Sequence, residues 1–337
     1  MKTRIFLLIG IVITAASPQL AAADESCNTK GCHRNLFTKE VLHEPFADDC
    51  ENCHEANNNE HPAAAGDEFS LTEAVPELCY QCHDEQNTME TVHPPADDGE
   101  CLSCHSPHSS DSPALIIDCE SGNICLECHD SGEIVDSTRT VHGGIREGLP
   151  CNSCHTAHAA NQNALLLDED TKLCLTCHKE EIAFHERKIV NIAVLLQNAQ
   201  SVHPPVEDDG CTTCHQVHDE RYPFLLRGAF PAGNYSERGT DNYALCFDCH
   251  DEEIILKKET EEDTDFRNGK QNLHYLHVNR EKSRSCINCH DAHGSEQEAL
   301  ISKKVSFGKW KMPNYFTRTA DGGSCITGCH EKKTYKR

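Results

Sequence analysis

The residues able to do chemistry are 23 cysteines and 23 histidines in a chain of 337. They fall into a repeated pattern, Cys-x-x-Cys-His. Nine copies occur: Cys50-Cys53-His54, Cys79-Cys82-His83, Cys101-Cys104-His105, Cys125-Cys128-His129, Cys151-Cys154-His155, Cys174-Cys177-His178, Cys211-Cys214-His215, Cys246-Cys249-His250 and Cys286-Cys289-His290. Two stretched copies flank them, Cys27-Cys32-His33 with four intervening residues and Cys325-Cys329-His330 with three. Chance placement at these frequencies would give on the order of 0.1 regular copies. The two thiols of each copy can add to porphyrin vinyl groups, and the adjacent histidine then meets the iron. A longer loop at a stretched site must bulge between its two thioethers.

Other uses of paired cysteines fit less well. Zinc ribbons do not need histidine after every second cysteine. A thioredoxin-like motif occurs once, in a βαβ context. A disulfide framework would not set histidine beside alternate cysteines. The reading is therefore haem c, about eleven per chain, using 22 cysteines and leaving Cys119 over.

Twelve further histidines are available for the opposite faces of eleven irons. Ten recur around the first motif of each doublet: His43, His93, His142, His203 and His277 upstream, and His61, His108, His158, His218 and His293 downstream. The other two are His185 and His274, of which one is spare. We count His185 as the eleventh distal ligand and His274 as structural, with the alternative left open. Methionine is scarce (three in all), so bis-histidine irons of low reduction potential are expected.

The elements that position these groups repeat as well. Five doublets start at Cys50, Cys101, Cys151, Cys211 and Cys286, the later copies lengthened by insertion. VHPPADDGECLSCHSPH returns as VHPPVEDDGCTTCHQVH. Regular structure reads as sparse, with motifs on short helical turns and linkers punctuated by Pro, Gly, Asp and Asn. One longer helix is expected from Glu180 to Gln200, where Ile182, His185, Ile189, Ile192 and Leu196 share a face. The aromatic inserts from Tyr222 to Tyr243 and Val305 to Thr319 read as loops packed over haem edges. The fold class expected is mostly irregular with short α-helices, an elongated array of doublet haem modules around a haem-packed core.

Four segments follow: 1–23 as signal peptide, 24–49 with the first site, 50–210 with the three compact doublets, and 211–337 with the two extended doublets and a basic tail. Lys2 and Arg4, the apolar run Ile5 to Ile13 and Ala21-Ala22-Ala23 give the export reading. That run is too short to span a bilayer. The expected location is periplasmic, outer-membrane-associated or extracellular. Net charge is −25, yet 303–337 carries nine Lys/Arg against Asp321 and Glu331, a local +7. Such a tail suits local compensation of haem propionates, an acidic partner or self-association. Nucleic acid is excluded by the overall balance.

The chain resembles the multihaem c-type cytochromes with doubled Cys-x-x-Cys-His motifs. The resemblance covers nearly all of it and is most specific in YALCFDCHD, FRNGKQNLHYLHVNREKSRSCINCHDAHGS and FGKWKMPNYFTRTADGGSCITGCH. Motif density is also similar to the periplasmic decahaem subunits of outer-membrane porin–cytochrome conduits, with eleven candidate sites here rather than ten. The resemblance implies respiratory electron transfer, with other redox proteins, a porin or a second cytochrome as partners. About 29 residues per haem after residue 23 leave too little protein to insulate the rings, so the leading expectation is an electron wire and no catalytic residue. A reductase of a small oxyanion would need an open iron, and the stretched sites are where one would be sought. A cytochrome filament is the third reading.

Overall fold

The computed structural model describes residues 33–57, 61, 68–119, 121–129, 141–146, 148–184, 187–218, 221–231, 233–281 and 283–337. The expected signal segment, Cys27, Cys32 and His185 lie outside these. Two compact units are present, one of 1–81 with 101–118 and one of 82–100 with 119–337.

Each first motif folds as one 3-10 turn: Cys50–Asn52, Cys101–Ser103, Cys151–Ser153, Cys211–Thr213 and Cys286–Asn288. A single turn brings residues three apart to one side, so Cys-x-x-Cys presents both thiols together. The motif histidine completes the turn by donating its N–H to the first cysteine, for example His105 to Cys101 and His290 to Cys286 at 3.0 and 2.9 Å. Second motifs sit on short helices at Glu77–Tyr80, Ile124–Glu127, Asp170–Leu175 and Ala244–Phe247.

The upstream histidines end extended segments. His43, His93 and His203 each take the N-cap position of a short helix, with β-region backbone, and proline stands in the first turn. Proline tolerates that position because its missing N–H would have no helical partner. Gly210 ends one such segment at φ +88, where a Cβ would also stand 2.8 Å from Asp170.

Successive doublets are stitched by two-residue antiparallel ladders. Val41–Leu42 pairs with Ser109–Ser110, Thr91–Val92 with Ala159–Ala160, and Ser201–Val202 with Gly294–Ser295. The upstream stretch of one doublet thus pairs with residues just past the downstream histidine of the next. The N–H groups of His43, His93 and His203 donate to the carbonyls of His108, His158 and His293.

The helix expected over 180–200 is instead a hairpin and a shorter helix. Ile182–Phe184 pairs with Arg187–Ile189, and Lys188 bridges Glu181. The helix begins only at Ile192, where Asn191 caps it by accepting from Val194 N–H at 2.8 Å. β-branched residues at the pairing positions and an Asn cap mid-stretch outweigh the helical spacing.

The 305–319 insert is also regular. Lys304–Phe307, Trp310–Thr319, Gly322–Thr327 and His330–Lys336 form a four-stranded antiparallel sheet. Gln297 ties it down, donating to Asn314 O and accepting from Phe316 N–H. Gly322 faces Tyr335 so closely that a Cβ would overlap the carbonyl.

Among the described residues buried apolar side chains are few, with one cluster of Tyr243, Ile255 and Val278. Polar ties do much of the joining. The Asp170 carboxylate accepts from the N–H groups of Cys211 (2.9 Å) and Thr212 (3.0 Å) and from the Thr212 hydroxyl. It caps the Cys211 turn from outside, so Asp170→Ala should cost about 1–2 kcal/mol in a denaturant titration of the holoprotein.

Candidate functional site

Histidine rings face one another in pairs. His33–His61, His54–His108, His93–His129, His142–His178, His155–His218, His203–His250, His215–His293 and His274–His290 have centroids 5.8–6.4 Å apart. Two imidazole nitrogens each about 2 Å from one metal, with ring centres roughly 1.1 Å further out, give a separation of about 6 Å. Seven of the pairs are within 30° of parallel. The donor set therefore suits an iron between the rings.

Each pair joins one motif histidine to one outside a motif, in two alternating ways. A first-motif histidine faces the downstream histidine of the next doublet, as in His54–His108, His155–His218 and His215–His293. A second-motif histidine faces the upstream histidine of its own doublet, as in His129–His93, His178–His142 and His250–His203. In the fifth doublet His274 stands opposite His290. The sequence count set His274 aside in favour of His185. Nothing in the spacing of His274 marks it, because it is supplied from an insert rather than from the repeat.

The ring nitrogens away from the gap are held. His105, His155, His215 and His290 direct Nδ1 to the carbonyls of Ala114, Ala164, Phe224 and Ala299 at 2.8–3.0 Å. Those acceptors, and the leucines that follow them, lie at φ +55 to +69. Two consecutive left-handed residues make a tight turn that costs non-glycine residues on the order of 1–3 kcal/mol. The strain aims a carbonyl at Nδ1 and leaves Nε2 for the metal. The sequence carried this signal unread: Ala-Leu or Phe-Leu stands nine and ten residues after the motif histidine in four doublets.

On the opposite side His43, His93 and His203 place Nδ1 against the carbonyls of Pro107, Ala157 and Ala292. His142 differs. Its segment reads His-Gly-Gly instead of His-Pro-Pro, its Nδ1 accepts from Gly144 N–H at 3.3 Å, and its ring is turned 70° from His178. Burial, then His290 and His277, push the His274 pKa down to about 4, so its lone pair is free at neutral pH. His277 is lowered by burial and by His330.

The thiols of consecutive motifs are neighbours. In the first unit burial raises Cys79, then Cys101 and Cys53 add to it. In the second, Cys154 feels Cys177, the Cys174 and Cys211 thiols share a hydrogen bond, Cys214 feels Cys249 and Cys246 feels Cys214. Burial lifts Cys286 to about 12, with Cys246 next, and Cys289 to about 11, with Cys325 and Cys329 next. Within each unit, order in space follows order in sequence. The last site uses a different scaffold. Cys325 lies on a strand, and Cys329 lies in the hairpin turn between Thr327 and His330, which accommodates the extra residue.

The family model of the doubled CXXCH motif matches residues 43–88, 93–133, 142–183 and 203–254. The chain belongs to that family. It is a multihaem c-type cytochrome, with haem attached covalently at its Cys-x-x-Cys-His motifs. No curated protein matches the chain.

Asp170, Cys174 and Cys211 cluster closely enough to suggest a separate metal site. Both cysteines belong to Cys-x-x-Cys-His motifs within the stretches that match the family model, and Asp170 is the cap described above. Among the described residues no helix is long and apolar enough to cross a membrane.

The strained turn gives a test. Ala164→Gly should stabilise the holoprotein by up to about 1 kcal/mol, since glycine adopts φ > 0 without cost. Ala164→Pro cannot adopt it and should free His155 Nδ1, raising the reduction potential of one haem in spectroelectrochemical titration.

Proposed function

We propose that this cytochrome conducts electrons along about eleven covalently bound, bis-histidine haems, in periplasmic or extracellular respiration. The observation that supports it most is the set of eight facing histidine pairs at iron-bridging separation. Bound haem supplies reversible one-electron chemistry at iron.

The chain's own residues anchor, orient and insulate. The cysteine pairs fix each ring edge. His33, His54, His83, His105, His129, His155, His178, His215, His250, His290 and His330 are the proximal ligands. His43, His61, His93, His108, His142, His158, His203, His218, His274, His277 and His293 serve as distal ligands. This set replaces His185 with His274 and leaves His185 as the spare. The count closes at eleven against eleven, so no iron is left open for a substrate.

The neighbouring thiols of consecutive motifs support short steps between rings in sequence order. The small apolar core of the protein itself supports a fold whose interior is completed by porphyrin. Partners are other redox proteins, reached after export, and the basic C-terminal segment offers an acidic one a place to bind.

Low-temperature EPR of the oxidised holoprotein should show only low-spin iron, and the reduced form should not bind carbon monoxide. His274→Ala should open about one haem in eleven to carbon monoxide, while His185→Ala should open none. The reverse result would restore His185 as ligand. His93→Met and His203→Met should each raise one potential, because thioether ligation favours the ferrous state. Unchanged spectra and potentials in both variants would remove these two from the ligand set.

A further inference from the structure

Three observations set the Cys286-Cys289-His290 site apart from the others. The first is charge. The Arg284 guanidinium lies 4.4 Å from the ring centre of Tyr235 and 5.4 Å from that of Phe307. Its Nη1 is buried and makes no hydrogen bond within the protein. Arg284 stands two residues before Cys286, and its charge reaches the Cys289 thiol.

The second is the distal hydrogen bond. His274 Nδ1 meets the Thr264 hydroxyl at 3.0 Å, where other distal histidines meet a peptide carbonyl. That hydroxyl already accepts from Phe266 N–H. A shared hydroxyl is a weaker acceptor than a carbonyl, so His274 is the less basic ligand.

The third is enclosure. Phe266 packs against both His274 and His277, and Tyr335 packs against Phe266. His274, His290 and Cys286 are half-buried, while Cys289 is exposed. The aromatic cover on the His274 side disfavours the ferric state, which carries the extra positive charge.

All three act in one direction. The neighbouring site provides a contrast. Opposite His215, His293 has the Asp291 carboxylate 3.7 Å from its Nδ1, and a carboxylate there favours ferric iron.

Resting on the bis-histidine reading above, we infer that the haem at Cys286–His290 has the highest reduction potential in the chain. Arg284 and Thr264 are the residues that set it. This haem is where electrons collect before leaving towards the C-terminal sheet or an external acceptor. The haem at Cys211–His215, which has the Asp291 and Asp170 carboxylates nearby against the single charge of Arg227, lies lower.

The test is a spectroelectrochemical titration of the holoprotein, followed by EPR. His274→Ala first identifies the low-spin signal of this haem by its loss, about one-eleventh of the total. That signal should disappear first as the wild-type potential is lowered. Arg284→Gln should move that component alone to lower potential, and Arg284→Lys should restore it. Thr264→Asp should lower it, and Thr264→Val should raise it. If the His274-dependent signal titrates in the middle or at the bottom of the range, the inference is overturned. It is also overturned if neither Arg284→Gln nor the Thr264 pair moves that component. If His274→Ala opens no haem to carbon monoxide, it is the underlying ligation reading that has failed.

Discussion

The structure depends on holding paired imidazole rings with their centres about 6 Å apart. Free side chains would not stay there, since each would rotate and protonate independently. The chain prevents this by committing the outer ring nitrogen to backbone. His105, His155, His215 and His290 reach carbonyls in left-handed turns, and His43, His93 and His203 reach carbonyls beside the next downstream histidine. With Nδ1 engaged, Nε2 is the nitrogen left available to a metal. The energetic cost of the left-handed turns is borne at the same repeat position in four doublets, as strain stored at a functional site usually is.

The same constraint explains how the doublets are joined. Two pairings alternate, one within a doublet and one reaching to the next. A doublet is therefore not a self-sufficient module: its first-motif histidine waits for a residue some fifty or more positions downstream. The two-residue ladders bring that residue into place, and they are short because alignment of one histidine is all they must secure. At the fifth doublet the partner comes from an insert instead, with Asn272 capping the Leu273–Val278 helix that carries both His274 and His277.

The protein's own core is correspondingly small. Tyr243, Ile255 and Val278 form its only buried cluster among the described residues, and polar ties such as Asp170 to the Cys211 turn and Gln297 to the C-terminal sheet do work that apolar packing does in ordinary domains.

Much of this was legible in the sequence. Cys-x-x-Cys-His carries its geometry locally: one turn sets two thiols on one side and the histidine closes it, so attachment sites, proximal histidines and doublet repeats required no tertiary information. The flanking histidines were visible as recurrent positions for the same reason. Partner choice was not, because which histidine faces which is decided between segments tens of residues apart. His274 shows this most plainly, having no repeat position to mark it. The 180–200 stretch shows the related failure: its apolar spacing suits a helix, but pairing of Ile182 with Ile189 and the Asn191 cap divide it. The C-terminal site was legible as a stretched motif, yet only the sheet reveals its scaffold, since Cys325 lies on a strand and Cys329 in the hairpin turn that follows, rather than on a helical turn. Local covalent spacing belongs to the sequence; facing partners belong to the fold, because they are selected by contacts the chain makes only after it has returned upon itself.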